Sequence, residues 1–141
     1  MNNKIATAYR YHRANGGTAS GSLYCARLGV LLDEATDAGV VEVKWEYEQE
    51  SYEDVFGFES DDERKQWYRD IENGTITGPY WVAMSVEGET LASLGMVTLG
   101  PRDIDGDYYA RLVTIELAAE IEDEIRQALG DVRDARITCP V

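Results

Sequence analysis

The chain has one histidine, His12, and two cysteines, Cys25 and Cys139. A Cys–His or Ser–His nucleophile site would therefore have to combine His12 with Cys25 or with a serine such as Ser20. The cysteines lack C-x-x-C spacing, which indicates neither a zinc site nor a disulfide framework and leaves both as thiols of a reducing cytosol. Nowhere do about eighteen apolar residues run together, and the first residues contain no apolar stretch of signal-peptide length. The expectation is a cytoplasmic chain that makes no membrane contact and needs no cofactor. Positive charge is also scarce: 13 Lys+Arg stand against 27 Asp+Glu, a net charge of -14.

What is present suits one domain. A chain of 141 residues buries roughly two-thirds of the surface it would expose unfolded. A hydrophobic fraction of 44%, with three Trp and nine Tyr, argues against a disordered acidic tail. Residues 1–141 are read as a single domain in which 1–16 form a mobile basic N-terminal segment. The charge is unevenly placed. Residues 1–30 carry Lys4, Arg10, Arg13 and Arg27 and no acid, whereas residues 31–63 carry thirteen acids against Lys44.

The local patterns predict an α+β fold. Thr18 or Ser20 caps a helix with an apolar stripe at Leu23, Ala26, Val30, Leu31 and Ala35, stopped by Gly39. Val41, Val43, Trp45 and Tyr47 then alternate with Glu42, Lys44, Glu46 and Glu48, as a half-buried strand requires. Ser60 and Glu63 form a capping-box pattern opening a short helix, with Trp67 and Ile71 turned inward and Gly74 as its stop. Runs 80–86 and 90–99 around Glu87-Gly88-Glu89 have the spacing of a β-hairpin. A last helix opens near Asp107 and stops at Gly130. The expected order is α-β-α-β-β-α: a three-stranded, mainly antiparallel sheet with two long helices on one face and one short helix.

Two motifs invite a ligand and fail on detail. The loop Gly16 to Gly21 lacks the lysine of a P-loop and has no preceding strand. Asp103-Ile104-Asp105-Gly106-Asp107 places glycine fourth where a calcium loop needs it sixth, and Thr114 stands where the bidentate Glu belongs. No metal site and no catalytic residue are assigned. The acidic block remains. On a strand, side chains of one face recur about every 6.6–6.8 Å, which sets Glu42, Glu46, Glu48 and Glu50 in a row that Glu53, Asp54, Asp61 and Asp62 could extend. Such a row resembles the phosphates of a nucleic-acid strand and would be steered into a basic groove. The expected partner is a basic nucleic-acid-binding protein, and direct contact with nucleic acid is not expected, because phosphate would repel so acidic a molecule. The alternative from another class is a module that binds through Tyr52, Phe56 and Phe58, its acids serving solubility alone.

A short acidic α+β chain with ten Arg against three Lys, and with the segments 41–48 and Ser51-Tyr52-Glu53-Asp54, resembles small accessory proteins of bacteriophages and mobile elements, among them anti-CRISPR and anti-restriction inhibitors. The resemblance is one of style over the whole chain. It implies a non-catalytic inhibitor whose partner is a host defence complex, either a CRISPR effector or a restriction enzyme, met in the host cytoplasm.

Overall fold

The computed structural model describes residues 3–47, 60–75, 77–99 and 106–138. Their order is α1 (Asn3–Ala14), α2 (Ala19–Asp37), β1 (Val41–Tyr47), α3 (Asp61–Glu72), β2 (Thr77–Val86), β3 (Glu89–Leu99), α4 (Gly106–Glu120) and α5 (Glu122–Thr138). The α+β class is as expected; the helices are more numerous.

Three helices end on the same device. In α2, Gly39 takes φ 76°, its N–H donates to the Thr36 carbonyl, and the Val40 N–H donates to the Ala35 carbonyl. This pair of reversed bonds needs a left-handed residue, which glycine adopts without strain. Gly74 ends α3 the same way, with Gly74 donating to Ile71 and Thr75 to Asp70. Gly16 does so for α1, with Gly16 donating to Arg13 and Gly17 to His12. Residues 3–14, expected to be mobile, are therefore a helix with a formed C-terminus, and α1 packs along α2. Helix starts follow the predicted caps: Thr18 Oγ1 accepts from the Gly21 N–H at 3.1 Å, and Ser60 Oγ from the Glu63 N–H at 3.1 Å.

The described strands form an antiparallel sheet in the order β1-β2-β3. Between β2 and β3 the chain turns on two residues, Glu87 at φ 51° and Gly88 at φ 87°, and two positive φ values match the twist of a tight hairpin. The register Val41↔Val86, Val43↔Met84 and Trp45↔Val82 lines up one apolar face. Against it pack Leu31, Leu32 and Ala35 of α2, Val113 and Leu117 of α4, and Ile125, Ala128 and Leu129 of α5. Three helices thus cover this face, not two.

The long last helix is two helices. The Ile121 N–H bonds three residues back to Ala118, and α5 restarts behind the acidic first turn Glu122, Asp123 and Glu124. The apolar period runs through the break, because Ile121 and Ile125 are both buried. Gly130 does not stop α5. The helix runs on through it while Val132 packs against the core and Arg133 reaches Glu34 at 2.9 Å. Within α3 no residue is buried; Trp67 and Ile71, expected to face inward, are half-exposed.

Candidate protein-binding surface

Alternation along β1 turns Val41, Val43 and Trp45 to the core and Glu42, Lys44 and Glu46 to the opposite face, where their cross-strand partners are Ser85, Ala83 and Trp81. Glu42 and Glu46 are both exposed, as expected. Between them stands Lys44, whose Nζ lies 2.8 Å from Glu46 Oε1. That hydrogen bond and the adjacent charge hold the Lys44 ammonium above its ordinary range. The row is therefore interrupted by a cation and is not carboxylate throughout. Asp61 and Asp62 occupy the exposed first turn of α3, where the helix dipole favours negative charge, and Asp61 pairs with Arg64 at 3.5 Å. Glu48, Glu50, Glu53 and Asp54, like Tyr52, Phe56 and Phe58, lie outside the described residues.

The acidic surface is wider than the expected segment. Glu116 and Glu120 of α4 and Asp123, Glu124 and Asp131 of α5 are exposed and make no ion pair among the described residues. Since α4 and α5 cover the core face of the sheet, these carboxylates lie on the other side of the molecule from Glu42 and Glu46. The acid-rich stretch 116–131, with its outward positions at helical spacing, was the sequence signal for them.

Of the residues weighed for catalysis, His12 is closed into the interior, Cys25 is half-buried and Ser20 is exposed. His12 is 1% exposed; its Nδ1 and the Tyr108 hydroxyl share a 3.4 Å hydrogen bond, and Tyr11 meets both rings edge-on. Burial, and then the Arg111 guanidinium, push the His12 pKa down and favour the neutral ring. Burial pushes the Cys25 thiol up, away from the thiolate that a nucleophile needs. Burial likewise raises the Tyr108 phenol, which stays protonated. Ser22 Oγ is buried without a hydrogen-bond partner among the described residues. The glycine loop is packed shut as well. A Cβ on Gly17 would stand 2.5 Å from Ser22 Oγ, and the Gly16 and Gly17 N–H groups are spent on ending α1, so neither is offered to a phosphate. Asp103 and Asp105 lie outside the described residues, and among the described residues no group of three His, Cys, Asp or Glu could hold a metal ion.

No protein-family model, curated protein or solved structure matches the chain. Its surface and its interior carry the functional reading.

A cleft of about 570 Å³ opens where α1, α2 and α4 meet, lined by Lys4, Thr7, Tyr11, Val30, Asp33 and Arg111 among others. Arg111 forks onto Asp33, Nη1 to Oδ1 at 3.2 Å and Nη2 to Oδ2 at 2.9 Å, across 78 residues of sequence. Gly29 makes room for this fork, since a Cβ there would stand 2.9 Å from the Arg111 Nη2. Sequence reasoning found neither residue, because nothing local marks a pair joined only by helix packing. No helix among the described residues is long and apolar enough to cross a membrane.

Proposed function

We propose that the chain is a non-catalytic inhibitor. Its acidic surface occupies the DNA site of a basic nucleic-acid-binding complex of host defence, a CRISPR effector or a restriction enzyme, by charge mimicry. The observation that carries this reading is the display of exposed carboxylates on fixed backbone: Glu42 and Glu46 on a strand, Asp61 and Asp62 on a helix turn. Carboxylates held on regular elements keep their spacing when they meet a groove, so less ordering entropy opposes binding. They also steer association with a positive cleft. The buried, neutral His12 and the raised pKa of the Cys25 thiol support the non-catalytic reading.

The test measures DNA cleavage by purified CRISPR effectors and restriction endonucleases with and without the chain. Inhibition that weakens with added salt, is relieved by excess DNA and falls at least ten-fold on joint reversal of Glu42, Glu46, Asp61 and Asp62 to Lys is expected. Inhibition unchanged by that reversal would rule the reading out. So would the absence of inhibition across the panel.

A further inference from the structure

The charge of this molecule is segregated along the sequence. All 27 acids lie beyond residue 30, while residues 1–30 hold four basic groups and no acid. Those 30 residues build α1, its turn and the first half of α2. Arg10, Arg13 and Arg27 are exposed, and none makes an ion pair among the described residues. In contrast Arg64, Arg111, Arg126 and Arg133, all outside the hairpin, are paired with carboxylates.

Their directions follow from helix geometry. Two residues along an α-helix turn the side chain by about 200°. Arg13 is two residues beyond Tyr11, whose ring meets Tyr108 of α4, and Arg27 is two residues before Gly29, which faces Arg111 of α4. Both arginines therefore lie on the flank of the hairpin turned away from α4. Arg10, two residues before the buried His12, points outward beside Arg13 at i, i+3. On α2, Tyr24 is 54% exposed and stands three residues before Arg27 on the neighbouring turn. A tyrosine left this open contributes little to the core.

We infer that this flank of the α1–α2 hairpin, with Arg10, Arg13, Arg27 and Tyr24, is a contact surface for single-stranded nucleic acid. Guanidinium groups pair with phosphate oxygens, and an exposed aromatic ring offers a stacking platform to a base; arginine interleaved with tyrosine is the combination that single-strand binders use. The net charge of -14 predicts repulsion from phosphate for the molecule as a whole. At physiological salt, however, charges more than about 8 Å apart are largely screened, so a group of arginines on a segment with no acid of its own acts by its local charge. This surface is independent of the acidic-face reading, because it uses different residues of opposite sign.

Fluorescence anisotropy of a labelled oligodeoxythymidylate single strand, titrated with the full chain over a range of salt, tests it. Weak binding is expected, with a log–log salt slope of about -2, since each of three neutralised phosphates on a single strand contributes roughly -0.7. The triple variant R10Q/R13Q/R27Q, with circular dichroism unchanged, should lose binding at least ten-fold, and Tyr24→Leu about five-fold or more. Reversal of Glu42, Glu46, Asp61 and Asp62 to Lys should leave sensitivity to the arginine substitutions intact. No binding at the lowest salt, or equal binding by the triple variant, would overturn the inference. Sedimentation showing self-association abolished by the arginine substitutions, with no oligonucleotide bound, would assign the hairpin to a second copy of the chain and overturn it as well.

Discussion

At the scale of single residues, His12 shows how position reverses a reading. Alone in composition it is the sole histidine available for catalysis; in place it is a packing group between α1 and α4, held by the Tyr108 hydroxyl and the Tyr11 ring. Its folded pKa is depressed first by burial and then by Arg111, so the folded state binds fewer protons at this site than the unfolded state. The stabilisation is thus complete above the unfolded pKa of about 6.5 and is lost as pH falls through that value toward the lower folded pKa. Urea unfolding should accordingly report falling stability between about pH 7 and pH 5, and His12→Gln should flatten the slope over that range. An unchanged slope in the variant would assign the loss to other groups. Gly29 is the counterpart: a glycine inside a helix costs up to about 1 kcal/mol against alanine, and here it admits the Arg111 fork onto Asp33.

At the scale of elements, local rules succeeded where the signal was local. The capping residues Thr18 and Ser60, the stops Gly39 and Gly74 and the alternation of β1 from Val41 to Glu46 all lie within a few neighbouring residues, and each formed as expected, while Tyr47, set by the same alternation on the core face, is 51% exposed. The break at Ile121 was hidden because a one-residue interruption preserves the apolar period; its legible sign was the acidic triplet 122–124, which suits a helix start. Gly16 opens a glycine-rich stretch before α2, and a glycine at that place equally serves as the left-handed terminus of α1. Strand β1 supplies a direct test of the mimic. Lys44 lies between Glu42 and Glu46 and is bonded to Glu46, so it cancels part of the row. Lys44→Glu makes the face continuous and should raise the association rate with a basic partner several-fold at low salt, with the gain shrinking as salt rises. A slower association would show that the described row is not the surface that meets the groove.

At the scale of the whole molecule, exposed carboxylates on both sides of the sheet repel one another, and their sum weakens the compact state. Thermal unfolding should therefore shift to higher temperature as sodium chloride rises toward physiological strength, where screening shortens the reach of these charges. A transition temperature independent of salt would mean that local pairs such as Arg111–Asp33 and Arg133–Glu34 already balance the field. The sequence by itself determined the α+β class, the hairpin, the helix caps and the run of 30 residues without an acid, because propensity, alternation and charge order are written along the chain. Only the tertiary structure decided that α1 is a packed helix, that His12 is buried, and that acids from α4 and α5 face away from those of β1. It also left the hairpin arginines without carboxylate partners among the described residues, while Arg111 and Arg133 found theirs. Each of these depends on which distant residues meet when apolar faces close on one sheet, and that meeting is not encoded in any local stretch.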